Sequence, residues 1–253
     1  FRMNVDRVFS KIGFGTVVTG TVRNGFAQNG DDIEILPLGI KTKIRGIQTH
    51  GGKTETVLSG DRAALNLSHV KSSDLTRGTV LATPDCLQSS NRILANISMT
   101  NSTDWIIKNK QRLRFHIGTS EILGRVSGKK LEKGQSGSVI IDLESPIAVA
   151  MDDRFVVRSY SPMDTIAGGL VIDPKPVGKW SVLRHRTDSL PIDPKERFGY
   201  LIDEDWKTPK SREEWQKLFF ISKEILQSWI VEIHVMESES GILYSESGLE
   251  KGK

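Results

Sequence analysis

Two residues near the start of the chain carry opposite charges inside an otherwise apolar run. Asp6-Arg7 follows Met3 and Val5 and precedes Val8 and Phe9. Gly13 and Gly15 then flank Phe14, and Thr16, Val17, Val18 and Thr19 are all β-branched. That composition predicts a hairpin closed by a glycine turn, and the glycines let a backbone or ligand come close. The charged pair is open to two readings. One is a surface ion pair at a strand end, which contributes little. The other is a pocket at a barrel rim, where a permanently charged guanidinium receives an anion. The remaining residues of chemical interest are scattered. Cys86 is the single cysteine, and no Ser-His-Asp or Cys-His arrangement accompanies it. No pair of His or acidic residues has metal-ligand spacing, so neither a metal nor a catalytic residue is expected. His234 lies in Val-Glu-Ile-His-Val and is expected to face solvent. Nothing matches G-x-x-x-x-G-K-[ST], and Gly13-Phe14-Gly15 is too short for a nucleotide loop.

Those residues need elements to position them. The chain has 253 residues, 37% hydrophobic and 26% charged, with 23 glycines, three tyrosines and a formal charge of +4. Such a composition is that of an ordinary globular protein, and the mild basicity permits a nucleic-acid partner without requiring one. One cysteine excludes an internal disulfide and fits a reducing, cytoplasmic setting. No apolar run reaches about 18 residues, so no membrane span is expected. A monomer is expected. The chain does not begin with methionine and enters a strand at once, which reads as a piece of something longer.

Short β-rich runs fill residues 1–88: Thr16–Val22, Asp31–Leu36 after an Asn-Gly turn, Lys41–Gln48, Arg62–Leu67 and Thr79–Leu81. Six more fill residues 89–174: Ile93–Met99, Arg112–Ile117, Ile122–Val126, Ser138–Leu143, Arg154–Ser159 and Gly168–Ile172, with Pro146 and Pro162 between runs. Many short strands at this spacing predict two consecutive small β-barrels, a mainly β fold. Residues 175–192 are basic and irregular, a linker by content. Residues 193–253 predict a winged-helix-like α+β tail, with room for one such module, whole or cut short. Its helices are expected over Pro194–Ile202, over Lys210–Phe220 capped by Ser211, and over Ser222–Ile230. Strands at Val231–His234 and Gly241–Tyr244 follow, and another helix opens at Ser247.

The run Phe1–Gly20, F-x-x-x-[VI]-D-R-V-F-S-x-x-G-x-G-T-V-V-T-G, resembles the start of the second domain of elongation factor Tu-type translational GTPases. Thr54–Leu67 and Leu75–Ala82 match later segments of that domain. Asp6-Arg7, the Gly-Asp-Arg-Ala-Ala-Leu-Asn run, His116-Ile117-Gly118-Thr119 and Gly124-Arg125-Val126 resemble the selenocysteine-specific elongation factor (SelB) family more narrowly. The resemblance implies elongation factor domains II and III, with selenocysteinyl-tRNA and the ribosome as partners. It implies delivery at recoded UGA codons. GTP binding and hydrolysis, with GTP and magnesium as cofactors, would be supplied by a domain not present here, and mRNA-hairpin recognition by domains beyond this chain. It places Asp6, Arg7 and Arg62 around the selenocysteinyl side chain and Phe9, Thr19 and Asn66 along the aminoacyl pocket. Arg77 would sit near the tRNA 5′ phosphate, and His116, Gly118, Thr119 and Arg125 along the acceptor and T stems. Taken singly, Arg62 is also a plain strand-start arginine, Phe9 and Thr19 plain barrel core, Arg77 a turn residue and His116 a barrel histidine. The alternatives are another translational GTPase, a rim-site barrel enzyme, or an interaction module that binds no RNA.

Overall fold

The structure is a computed structural model that describes residues 1–49 and 51–251. Nine strands build the first module: Arg2–Lys11 (β1), Gly15–Asn24 (β2), Phe26–Gln28 (β3), Asp32–Leu36 (β4), Ile40–Thr49 (β5), Gly52–Thr54 (β6), Thr56–Leu58 (β7), Arg62–Leu67 (β8) and Val80–Ala82 (β9). The sheet runs β4-β9-β1-β2-β8-β5-β6, and an added β4–β5 pairing closes the first six of these into a ring, with β6 paired to β5 outside it. Alternation explains the closure. Met3, Val5, Val18, Val22, Ile33, Ile35, Leu65, Leu67 and Leu81 point inward and are fully buried. The short strands β3 and β7 pair with each other, and their three-residue lengths left too little pattern to read in the sequence.

Ser89–Met99 (β10), Arg112–Ile117 (β11), Ser120–Ser127 (β12), Ser136–Ala148 (β13), Arg154–Arg158 (β14) and Thr165–Asp173 (β15) form a closed barrel in the order β10-β13-β12-β11-β14-β15. Its core includes Ile93, Phe115, Ile141, Phe155 and Val171. Pro146 falls within β13 rather than between runs. Ladder pairing with β10 breaks between Ser90 and Arg92, and a residue without an N–H is tolerated beside such an irregularity.

The expected linker is corrected. Trp180–Ser189 forms a helix (α1), held by basic residues of the second barrel against Trp180 and by Arg186, one of the basic residues that suggested a linker. The Trp180 ring lies 5.2 Å from the Arg92 guanidinium carbon and 5.0 Å from Lys110 Nζ. Arg186 pairs with Asp173 at 3.2 Å and Glu204 at 2.8 Å. Then come Pro194–Glu204 (α2), Arg212–Phe219 (α3), Lys223–Glu232 (α4), the hairpin Met236–Glu237 (β16) and Leu243–Tyr244 (β17), and Glu246–Lys251 (α5). Ser211 caps α3 in a reciprocal box with Glu214. A bridge from Ser211 to Ile242 adds the hairpin to the helices, the order of a winged helix. The strand expected at Val231–His234 is instead the end of α4 and the turn after it. His234 takes a positive φ there and is exposed.

Candidate functional site

β1 breaks its own alternation. Met3 and Val5 point inward, yet the next residue on the core is Val8. Val5 pairs with Gly20 and Arg7 with Thr19, which leaves Asp6 as an extra residue, a β-bulge. Asp6 and Arg7 therefore both turn to the outer face, which consecutive residues of a regular strand cannot do. Gly20 makes room for the kinked strand, since a Cβ there would lie 2.2 Å from the Asn4 carbonyl oxygen. The register carries the outer face across neighbouring strands. Arg7 lies opposite Thr19 and Thr19 opposite Ala64, while Phe9 lies opposite Val17 and Val17 opposite Asn66. Thr21 lies opposite Arg62.

The structure brings Asp6, Arg62 and Thr19 into contact. Arg62 Nη1 donates to Asp6 Oδ2 at 2.6 Å and Nη2 to Oδ1 at 3.2 Å, a two-pronged fork. Thr19 Oγ1 donates to Asp6 Oδ1 at 2.8 Å. Burial pushes the Asp6 carboxyl up. The hydrogen bonds from Arg62 and Thr19 and the charges of Arg62 and Arg7 outweigh it, so the group ionises below its usual 3.8. Arg7 is exposed, and its side chain makes no hydrogen bond or ion pair with a described residue. Two guanidiniums thus face one carboxylate, and the cluster stays cationic.

Beside it, on the same face, lies a cavity of about 340 Å³, within the range of small-ligand sites. Phe9, Phe14, Val17, Gln48 and Asn66 are among its lining residues. Asn66 Nδ2 donates to the Phe14 carbonyl at 2.7 Å and so ties the glycine turn to β8. Asn66 Oδ1 is buried and has no partner among the described residues. The three charged residues do not line the cavity. They stand one register step along the sheet, joined to it through Thr19 and Ala64. Phe14 and Gln48 were missed in the sequence, although the flanking glycines marked Phe14's position.

The second group divides. Gly118 and Thr119 serve the seam between the barrels. Thr119 Oγ1 donates to the Val5 carbonyl at 2.7 Å. Gly118 has φ +57°, and a Cβ on it would come within 2.5 Å of Asn4 Nδ2. Arg77 Nε donates to the Thr119 carbonyl at 3.2 Å. His116 faces outward from β11, 4.0 Å from Glu121. Burial pushes its imidazole pKa down, Glu121 opposes this, and Arg158, Arg114 and Arg77 add to the lowering. Arg125 lies opposite Arg112 on the same outer face and reaches the Lys110 carbonyl at 3.4 Å. Reading β11 as a strict alternation would have added Arg112 and Arg114, whose guanidinium carbons lie 4.9 and 5.8 Å from the exposed Tyr160 ring. Among the described residues no cluster of His, Cys, Asp or Glu could hold a metal, and no helix is long and apolar enough to cross a membrane.

Comparison with known proteins gives concordant matches. Residues 92–177 match the family described as "Selenocysteine-specific elongation factor, beta-barrel domain", and residues 15–82 match "Elongation factor Tu domain 2". The selenocysteine-specific elongation factor of Desulfomicrobium baculatum is 39% identical over 191 residues, 74% of this chain and 30% of that protein. That of Escherichia coli K12 is 30% identical over 174 residues, 68% of this chain and 27% of its own length. The chain therefore spans less than a third of these relatives. The crystal structure of bacterial selenocysteine-specific elongation factor EF-Sec superposes with a TM-score of 0.79 at 24% identity, over 99% of this chain and 40% of that one. The apo structure of SelB from Methanococcus maripaludis gives 0.61 at 24% identity, over 70% of this chain and 43% of that one.

Proposed function

The chain carries barrel domains II and III of the selenocysteine-specific elongation factor family, and from that premise we propose that its first barrel holds the aminoacyl end of selenocysteinyl-tRNA for delivery to the ribosome. The observation that carries this reading is the bulged face of β1. Arg62 is oriented by Asp6, Arg7 is uncommitted beside it, and a cavity opens along the same strands. A selenol is a stronger acid than a thiol and is largely an anion near neutral pH, whereas the serine hydroxyl of the precursor is neutral. Fixed guanidiniums separate the two by charge, since arginine stays protonated when partly desolvated. Asp6 holds Arg62 in one orientation, which lowers the ordering cost when the anion arrives. The cavity beside Phe9 and Asn66 receives the esterified end of the RNA. Arg77 and Arg125 extend the cationic surface toward the acceptor and T stems, with His116 as an uncharged ring whose pKa is held below the ordinary histidine value, and there A-form backbone is read by shape. GTP and magnesium chemistry belongs to another domain of the longer protein, and this stretch supplies no catalytic group.

Binding of selenocysteinyl-tRNA and seryl-tRNA by the GTP-bound longer protein tests the reading. A charge-assisted hydrogen bond contributes roughly 1.5–3 kcal/mol. Arg62→Ala is therefore expected to weaken selenocysteinyl-tRNA binding about 10-fold or more and seryl-tRNA binding far less. Equal losses for both would reduce Arg62 to a structural role.

A further inference from the structure

Two consecutive aspartates on one turn of the second barrel hold two arginines from two other modules. The turn Met151–Asp153 is pinned to β15, with the Asp152 amide donating to the Val171 carbonyl and the Val171 amide to the Asp153 carbonyl. Asp153 takes Arg2 of the first barrel, with Nη1 at 2.9 Å from Oδ1 and a second prong from Nη2 to Oδ2. Asp152 takes Arg197 of α2, with Nη2 at 2.6 Å. Both arginines are buried, Arg197 completely. Arg197 also donates to the Pro191 and Ile192 carbonyls at 3.2 and 2.8 Å. Groups of this kind are costly to leave unpaired, so each pair fixes the orientation of the module that supplies its arginine.

The other side of each arginine is covered by a second consecutive pair. The Arg197 guanidinium carbon lies 5.7 Å from the Phe219 ring and that of Arg2 lies 6.0 Å from the Phe220 ring. Phe219 belongs to the tail core with Phe198, Trp215 and Leu226. Phe220 leaves α3 in the left-handed region, φ 55° and ψ 43°, a conformation that L side chains rarely adopt. That conformation turns its ring away from the tail. It packs instead on Leu36, Val80, Ala82, Leu87, Ala148 and Ala150, a cluster drawn from both barrels and the segment between them.

We propose that Asp152-Asp153 and Phe219-Phe220 form one coupled joint, through which the helical tail sets the angle between the two barrels. The tail wedges Phe220 into the seam, and the same turn that anchors the tail anchors Arg2. Loosening either half loosens the other, because they share two dipeptides of rigid backbone. The coupling is independent of what the barrels bind.

Cys86 is the built-in reporter. It is the only cysteine, it is half-buried, and it packs on the same seam cluster as Phe220. Asp152→Asn alters only the tail's anchor, and in the whole chain it is expected to speed thiol labelling of Cys86 about 5-fold or more, the lower range of ordinary inter-site coupling. Arg2→Met is the reciprocal arm, expected to speed amide hydrogen exchange in α3 and α4 by a similar factor. Lys195→Met, which breaks the exposed Lys195–Glu232 pair of the tail, should leave Cys86 labelling unchanged. Near-UV circular dichroism from Trp215 and Trp229 verifies that the tail stays packed, and if Asp152→Asn loses it the Arg2→Met arm decides alone. Unchanged Cys86 labelling in a packed Asp152→Asn variant, or unchanged α3–α4 exchange in Arg2→Met, would show two independent contacts and overturn the joint.

Discussion

Asp6 binds nothing but its own neighbours, and its importance lies in what it does to Arg62. Its two oxygens accept three hydrogen bonds, two of them from the arginine. The pair is half open to water, with the Arg62 side chain 58% exposed, so its contribution to stability is under about 1 kcal/mol. Asp6→Asn should therefore lower the urea midpoint only slightly at neutral pH. The sign of the pH dependence follows from the depressed carboxyl pKa. The stabilisation is present above the unfolded value of 3.8 and disappears as pH falls through the folded one. The difference between wild type and Asp6→Asn should thus close in strong acid, and a gap that persists there would remove the ion pair as its cause. Function should respond far more than stability. With the fork released, Asp6→Asn is expected to erode discrimination between the two charged tRNAs while leaving the fold intact.

At the scale of elements, the bulge in β1 creates the site and Gly20 permits the bulge. Gly20→Ala places a methyl against the Asn4 carbonyl and is expected to cost about 1–3 kcal/mol, lowering the thermal midpoint by several degrees. A midpoint within a degree of wild type would mean that the strands have slack to give. The strands themselves were legible because β-branched runs and glycine or Asn-Gly turns recur at short intervals. So were the tail helices, whose caps Asp193, Ser211 and Ser222 each accept a hydrogen bond at the helix start. Asp6, Arg7 and Arg62 could be named together from the resemblance, yet the bulge that puts Asp6 and Arg7 on one face could not be read. An extra residue in a strand has the same composition as a strand with a charged interruption. α1 was hidden for a related reason. Its stretch is mostly polar, and it is held by cation–aromatic contacts and ion pairs to distant residues, which leave no periodic apolar stripe. The joint at Asp152-Asp153 was likewise invisible, because its arginines lie 151 and 45 residues away along the chain.

At the scale of the whole molecule, the three modules share their contacts rather than hang in series. Four of the five tryptophans lie in residues 180–253, so tryptophan fluorescence follows the tail while far-UV circular dichroism follows mainly the barrels. With the joint intact, the two urea transitions should coincide, and separated midpoints would mean that the modules unfold on their own. The seam carries one more consequence. The carbonyl just before Asp6 belongs to Val5, and a hydroxyl of the other barrel, on Thr119, clasps it. The strand is thus gripped from outside at the residue where it miscounts. A shift of the second barrel against the first therefore reaches the strand that carries Asp6 and Arg7 through the clasp at the bulge.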